Sequence, residues 1–291
     1  MQTKTVYQAL VCIGLLGCRG TTGQPAAPPS PEPMASARES PPHLAGLAAA
    51  RLARPRYVIE HAGVPAAEAE QVAGYIDQAI DALAKELDMP PPAALSPETC
   101  VVHIHPTPND SATTGLATMH SGTRNGRPFA DLHILAPSAH DRSKTTSVGE
   151  PFDDNFFRKL LVHELSTLFL VQATRQKPKG WRFHSAPAWF VQGYEEYLAV
   201  MLGSPHSKTV TLGLYESRLR ADPDRVTALS VEDPYGDGVI LLQYLHTKLG
   251  AAKMRALLAS QAPSFRLAVA SELGVSLDDL YTGFRAWARK A

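Results

Sequence analysis

Apolar residues recur with helical spacing in a long segment in the first third of the chain. Between Val72 and Leu87 they stand three or four positions apart, which predicts an amphipathic helix over about 66 to 88. The prolines at 90 to 92 end this helix. Before it, residues 56 to 60 (RYVIE) are rich in strand-forming side chains, so they predict a first strand.

Short stretches with β-branched residues or alternating polarity follow the helix. Residues 100 to 105 (CVVHIH), 116 to 120 and 129 to 136 each predict a strand, and residues 124 to 127 (RNGR) supply a hairpin turn between the last two. Residues 137 to 152 are polar and predict a loop. This part of the chain is therefore expected to form a small sheet with one helix.

From residue 154 onward the pattern becomes helical. The first helix of this part contains LVHELSTLFL at 161 to 170 and is apolar on nearly all sides, so we expect it to be buried. A second helix is predicted from residues 185 to 187 (SAP) to Leu202, because serine suits a helix N-cap and proline the first turn. Further helices are predicted at about 210 to 220, 236 to 249, 251 to 260, 264 to 273 and 277 to 289.

These elements predict an α+β fold with two parts. A mixed α/β part covers residues 44 to 152, an all-α part covers 153 to 291, and the buried helix lies between them. The domain is expected to begin with the alanine-rich residues 44 to 53, which show a weak helical pattern. With 291 residues, of which 44% are hydrophobic, the chain is long enough for a sizeable core.

Charge argues against one class of partner. Lys plus Arg and Asp plus Glu are both 28, which gives a net charge of zero. The chain also lacks a run of basic residues interleaved with aromatic ones, the pattern typical of surfaces that follow a phosphate backbone. We therefore expect no nucleic-acid partner.

The N-terminus has the features of an exported chain. Lys4 precedes an apolar run at 9 to 16 that is too short to span a bilayer as a helix and fits a secretory signal peptide. The run ends in Leu-Leu-Gly-Cys, which resembles the bacterial lipobox. The resemblance implies that residues 1 to 17 are removed and that Cys18 carries lipid, which would anchor the protein to a membrane of the bacterial cell envelope. The alternatives are a signal peptide with an incidental cysteine and a weak membrane anchor.

The next segment predicts a tether. Residues 18 to 43 are rich in proline, alanine and serine and have almost no large apolar side chain, so they cannot bury enough surface to fold. Cys12 lies in the predicted signal peptide and Cys18 is the predicted lipid site, which leaves Cys100 alone in the domain. No disulfide within the domain is therefore expected.

The stretch LVHELSTLFL carries a His-Glu pair at 163 and 164. The zinc-peptidase signature H-E-x-x-H places a second histidine four residues after the first, on the same side of the helix, so that two imidazoles hold zinc and the glutamate activates a metal-bound water. Here Thr167 stands at that position. By itself the His-Glu dipeptide carries little weight, because a chain with eleven histidines contains such a pair by chance in roughly half of cases.

The second helix adds to this pattern. Residues 187 to 198 (PAWFVQGYEEYL) resemble the segment P-x-W-x-x-E-G-x-x-E-Y of the gluzincin metallopeptidases, in particular their peptidase MA-like domains. The resemblance extends to residues 235 to 238, 243 to 245, 249 to 250, 254 to 258, 273 to 277 and 284 to 287, and covers most of 56 to 290. It implies a gluzincin-like α+β fold.

Carried over residue by residue, the resemblance gives each matching position a role. His163 stands at the first zinc ligand and Glu164 at the general base, whereas Thr167 and Gln192 stand at the second and third ligands. Glu196 stands at a supporting glutamate. A threonine hydroxyl and a neutral amide are poor substitutes for the imidazole and carboxylate that zinc favours. We therefore expect no bound zinc and treat Glu164 as a vestigial base.

Three hypotheses follow. The first is a lipid-anchored, peptidase-like domain that does not hydrolyse peptides and binds a peptide or an envelope protein, or serves as a structural envelope component. The second is an active zinc peptidase whose ligand set is rebuilt from His184, Glu195 or Glu196. The third is an unrelated helical lipoprotein. Tyr235 is a further candidate near the cleft, where a phenol could stabilise an oxyanion.

Four histidines in the predicted strands raise a separate question. His103 and His105 alternate onto one face of their strand, and His120 and His133 are expected on neighbouring strands of the same sheet. Such a group either forms a polar face or binds a metal ion, and the sequence leaves both interpretations open.

Overall fold

The computed structural model describes residues 7 and 8, 50 to 107, 116 to 146, 149 to 175, 180 to 229 and 233 to 291. Apart from residues 7 and 8, the predicted signal peptide and the predicted tether lie outside the described residues.

Among the described residues, six strands form one mixed sheet. Along the chain they are β1 (Tyr7–Gln8), β2 (Ala50–Ala53), β3 (Val58–His61), β4 (Cys100–His105), β5 (Ala117–Arg124) and β6 (Arg127–Leu135). Their order across the sheet is β1-β5-β6-β4-β3-β2. The central neighbours β3, β4 and β6 are parallel, and the other pairs are antiparallel. The predicted hairpin is confirmed, with Asn125 and Gly126 at positive φ between β5 and β6.

The two faces of the sheet differ in polarity. Alternate positions such as Ile59, Val102 and Leu132 are fully buried in the core, which they share with the first helix, α1 (Ala66–Leu87). Just before β3, the buried Tyr57 donates a hydrogen bond to the Ala73 carbonyl of α1. The residues between these positions form a second face with histidines and acidic side chains. The sheet therefore packs one apolar face against the core and carries polar side chains on the other face.

The weak helical pattern at the start of the domain was misleading. Residues 50 to 53 form strand β2, which pairs antiparallel with β3 over its full length, and residues 44 to 49 lie outside the described residues. Alanine favours a helix, but the propensity of a four-residue segment is small compared with the hydrogen bonds of a sheet edge.

Helices form the remainder of the domain. After α1 come α2 (Asp154–Arg175), α3 (Ala188–Leu202), α4 (Leu212–Ala221), α5 (Pro223–Thr227), α6 (Pro234–Leu258), α7 (Phe265–Ala268) and α8 (Leu277–Ala288), with π-helical turns at Ser207–Thr211 and Val269–Leu273. The boundary predicted near residue 250 is a kink within α6, where Gly250 has φ 77°. The α+β class, with a mixed sheet first and helices after it, is confirmed.

Two features of α2 and α3 position the side chains described below. Asp153 caps α2, because its carboxylate accepts hydrogen bonds from the backbone N–H groups of Asn155 and Phe156. Gly193 of α3 lies against Gly238 of α6 so closely that a Cβ at 193 would lie 2.5 Å from the Gly238 Cα. The glycine pair therefore fixes α3 between α2 and α6. None of the described helices is long and apolar enough to cross a membrane.

Candidate functional site

The structure brings most of the predicted site residues together between α2 and α3. Helix α2 supplies His163, Glu164 and Thr167, all at most 4% exposed. Helix α3 packs against it and supplies Glu195 and Glu196, which are 1% and 7% exposed. We call these five side chains, with Lys159, the carboxylate cluster.

Both ring nitrogens of His163 face carboxylates. Its Nδ1 lies 3.1 Å from Oε2 of Glu196, and its Nε2 lies 3.9 Å from Oε2 of Glu195. Burial alone would lower the pKa of this imidazole, but the hydrogen bond and negative charge of Glu196 outweigh it, so the pKa is raised. The histidine is therefore held by α3 on two sides and is favoured in its charged form.

Thr167 is bound to the same helix. Its hydroxyl donates a hydrogen bond to Oε1 of Glu195 at 2.7 Å. The Glu195 carboxyl group thus contacts both Thr167 and His163, the two α2 positions that a zinc ion would join in the resembled family. Glu195 is 1% exposed, so it does not lie on a solvated face of α3. Burial raises its pKa, and its position was not predictable because the helix is buried on nearly all sides.

Glu196 accepts hydrogen bonds from several buried groups. Lys159 Nζ lies 2.6 Å from Oε1, and the Tyr215 hydroxyl donates to the same oxygen at 3.0 Å. Burial alone would raise the pKa of Glu196, yet Lys159 and His163 lower it to about 2. Lys159 also lies 2.8 Å from Glu150, so one buried ammonium joins two carboxylates. Glu196 therefore binds both His163 Nδ1 and Lys159 Nζ in the interior between α2 and α3.

Glu164, the position of the vestigial base, is 1% exposed. The backbone N–H of Met119 in β5 faces its carboxylate and favours the charged form, and Oε1 has no hydrogen-bond partner among the described residues. Burial raises the pKa of Glu164 to about 7. The edge of β5 and the α2 glutamate therefore lie side by side.

Three candidates remain: Tyr235, Gln192 and His184. The Tyr235 ring lies 5.7 Å from the His163 ring, so this tyrosine belongs to the site. Gln192 has a buried Oε1 with no hydrogen-bond partner among the described residues. His184 lies elsewhere: its neighbour Phe183 donates a backbone hydrogen bond to Thr174. Eleven residues of α2, about 16 Å, separate Thr174 from His163, so the structure does not bring His184 to the cluster.

The side chains at the second and third ligand positions are not donors that zinc favours. The hydroxyl at the second ligand position donates to a carboxylate and the third position holds a neutral amide, whereas zinc needs imidazole, thiolate or carboxylate donors. Within the described ranges, no group of three or more His, Cys, Asp or Glu side chains is arranged to hold a metal ion.

Sequence analysis missed three members of the network around the cluster: Lys159, Glu150 and Tyr215. The residue that could have been found is Lys159, because a charged side chain one turn before His163, in a helix that is otherwise apolar, requires a buried partner. Glu150 and Tyr215 could not have been found, since they reach the cluster from a loop and from α4.

A second group of histidines lies on the polar face of the sheet. Nε2 of His105 and Nδ1 of His133 are 3.0 Å apart, and the His103 ring stacks on the His133 ring at a centroid distance of 4.5 Å. The His120 ring meets His133 edge-on at 5.6 Å. The prediction that His120 and His133 lie on neighbouring strands is confirmed, and we call His103, His105, His120 and His133 the histidine face.

Comparison with known proteins adds no assignment. A scan against protein-family models finds no match to this chain, and a search of curated proteins finds no match either.

Proposed function

We propose that this chain is a membrane-anchored lipoprotein whose metallopeptidase-like domain binds an extended peptide or an envelope protein without hydrolysing it. One observation supports the proposal that the domain does not hydrolyse peptides. The Glu195 carboxyl group contacts His163 Nε2 at 3.9 Å and Thr167 Oγ1 at 2.7 Å. A protein side chain thus bridges the two α2 positions that a metal ion joins in the resembled enzymes, and the Glu196 carboxylate outweighs burial and raises the pKa of His163.

The edge strand β5 supports the binding role. Tyr7–Gln8 pairs with it antiparallel, opposite Ser121 and His120, so this edge accepts an extended segment. Removal of the predicted signal peptide would vacate the edge. A peptide bound there would run past Glu164, because the Met119 N–H points from β5 to that carboxylate.

The binding role can be tested with the mature lipoprotein purified in detergent and a casein digest as the peptide pool. N–H groups on one edge of a strand alternate, so the Ser121 N–H points outward like that of Met119. Ser121→Pro removes this outward donor and spares the β5–β6 ladder, whereas Ser121→Ala keeps it. We expect wild type and Ser121→Ala to retain peptides uncleaved, and Ser121→Pro to retain several-fold less. Absence of retention by wild type would refute the binding role.

One set of observations favours the alternative, an active zinc peptidase with a non-standard ligand set. Among the described residues, His163 Nε2, Glu164 Oε1 and Gln192 Oε1 are buried without hydrogen-bond partners. These atoms belong to three of the positions that face the metal in the resembled family. In the same digest, cleavage that stops with a chelator and with Glu164→Gln would establish this alternative and overturn our proposal.

The membrane anchor has its own test. Because the Leu-Leu-Gly-Cys motif implies lipid on Cys18, Cys18→Ala should move the protein from the membrane fraction to the soluble envelope fraction of a bacterial host. A variant that stays in the membrane fraction at the wild-type level would show that another segment anchors the chain.

A further inference from the structure

The segment that joins β6 to α2 is described at residues 137 to 146 and 149 to 153, and it carries a buried histidine, His140. We propose that His140 is a pH-sensitive latch, which holds this segment against α2 while the ring is neutral and releases it when the ring takes up a proton. The proposal does not depend on the function proposed above.

The ring of His140 lies among phenylalanines. His140 is 7% exposed, and its ring centroid lies 5.6 Å from that of Phe157 and 6.2 Å from that of Phe156, both on α2. Phe152, near the other end of the segment, meets the same ring edge-on at 6.3 Å and lies 4.8 Å from Phe156. His140 and Phe152 therefore fasten the two ends of the segment to one side of α2.

One ring nitrogen of His140 is buried without a polar contact. Its Nε2 has no hydrogen-bond partner among the described residues. In a neutral ring this nitrogen can be the one that carries no proton, so its burial costs one weak acceptor interaction with water. In a charged ring both nitrogens carry protons, and Nε2–H would be a buried donor of a charged group without an acceptor. The surroundings therefore suit the neutral ring and oppose the charged one.

The groups that face the ring do not reverse this preference. Burial has the largest influence and lowers the pKa of His140 from its ordinary 6.5, and Arg142 of the same segment lowers it further. The Leu135 carbonyl of β6 and Glu68 of α1 raise the pKa by less, so the net direction is downward. The contribution of the latch to stability is therefore complete above about pH 6.5 and is lost as the pH falls through the lowered pKa.

Release of the latch would reach the carboxylate cluster. Glu150 lies two residues before Phe152 and is 2% exposed, and its Oε2 lies 2.8 Å from Lys159 Nζ. When Phe152 leaves α2, Glu150 is withdrawn with it, and Lys159 keeps only one of its two carboxylates. A proton on His140 thus opens the lysine side of the cluster.

Hydrogen exchange of the purified full-length protein, measured by mass spectrometry at pH 7 and pH 5, tests the latch. Protection factors are corrected for the intrinsic exchange rates at each pH. We expect protection in peptides from residues 137 to 153 to fall several-fold at pH 5, up to a limit of roughly 25-fold set by the titration of an ordinary histidine between these pH values. Peptides from α8 are the internal reference and should keep their protection.

Two kinds of variant locate the effect. His140→Phe keeps an aromatic ring among the phenylalanines but does not titrate, so protection of the segment should be the same at both pH values; His140→Gln serves if that variant does not fold. His246→Gln is the matched control. Burial also lowers the pKa of His246, to about 4, but this ring lies on α6 against Tyr197, so the segment should respond as in wild type.

Three results would overturn the proposal. The first is equal protection of the wild-type segment at pH 7 and pH 5. The second is a folded His140→Phe or His140→Gln variant that loses protection at pH 5 as wild type does. The third is loss of the pH response in His246→Gln.

Discussion

His163 on α2 and His133 on β6 are both buried, with 3% and 5% of their surfaces exposed, but their surroundings differ in charge. Carboxylates of α3 flank both ring nitrogens of His163, whereas His133 shares a hydrogen bond with His105 and stacks on His103. The carboxylates of α3 favour the charged form of His163 and bind it by electrostatic interaction. His133 instead contacts other imidazole rings. Two histidines that are buried to the same extent can therefore differ in their favoured charge state, because the charge of the neighbouring side chains determines that state.

The largest expected effect concerns the charge balance of the carboxylate cluster. Lys159→Met removes the ammonium between Glu150 and Glu196 and leaves two buried carboxylates without their cation. Breaking a buried pair in this way costs about 3–5 kcal/mol of unfolding free energy. Urea unfolding at pH 7 measures the loss. Arg142→Met is the control, because it breaks an exposed ion pair with Asp154 and should cost less than about 1 kcal/mol. Equal losses in both variants would contradict the role given to Lys159.

The second prediction uses pH. Burial raises the pKa of Glu164 from its ordinary 4.5 to about 7, so the folded state keeps a proton that the unfolded chain releases. The resulting stability is complete below about pH 4.5 and is lost as the pH rises through 7, a change of roughly 3 kcal/mol. Glu164→Gln should remove it, so the variant should gain stability relative to wild type between pH 5 and pH 8.

Glu196→Gln is the matched variant for that experiment. The pKa of Glu196 is lowered to about 2, chiefly because Lys159 and His163 outweigh burial, so its contribution is present above about pH 4.5 and lost as the pH falls toward 2. The two variants should therefore change the pH profile in opposite ranges. A Glu164→Gln profile parallel to wild type from pH 5 to pH 8 would show that Glu164 titrates normally.

The third prediction concerns the packing that holds the cluster. Gly193→Ala would place a Cβ 2.5 Å from the Gly238 Cα and force α3 away from α6, at a cost of about 2 kcal/mol or more. Gly213→Ala is the control, because nothing lies within 4 Å of its Cβ and alanine favours a helix. Thermal unfolding should show a loss for the first variant and a small gain for the second. A neutral Gly193→Ala would mean that the helices separate without cost.

The smallest effect is expected on the histidine face. His103→Gln breaks a half-exposed pair with Glu60, so the free energy of unfolding should change by less than about 1 kcal/mol. Urea unfolding in the absence of metal measures this. If His103→Gln lost as much unfolding free energy as Lys159→Met, the histidine face and the carboxylate cluster would be stabilised by the same kind of interaction. That result would contradict the distinction drawn between the two regions.

The sequence predicted the elements whose formation depends on residues close to one another in the chain. Helical spacing identified α1 and α2, and the Asn-Gly dipeptide identified the β5–β6 hairpin, because both depend on neighbouring residues. Strand β2 was not predicted, since its alanines are held by β3, and the short helix α5 was also missed.

The candidate site was predictable only in part. The positions of His163, Glu164 and Thr167 followed from one helix and a family resemblance. The pairing of Thr167 with Glu195 did not, because both helices are buried nearly all round and their apolar pattern does not show which charged residue faces which. A close pair 28 positions apart depends on how two helices pack, and a single sequence does not give that.

Zinc content tests the central claim most directly. Wild type, His163→Gln and the double variant Thr167→His with Gln192→Glu are equilibrated with zinc, separated from free metal, and analysed by mass spectrometry. We predict that His163→Gln leaves the zinc content of wild type unchanged and that the double variant gains one zinc per chain. One zinc per wild-type chain that disappears in His163→Gln would contradict the account, because it would show that His163 binds metal despite Thr167 and Gln192.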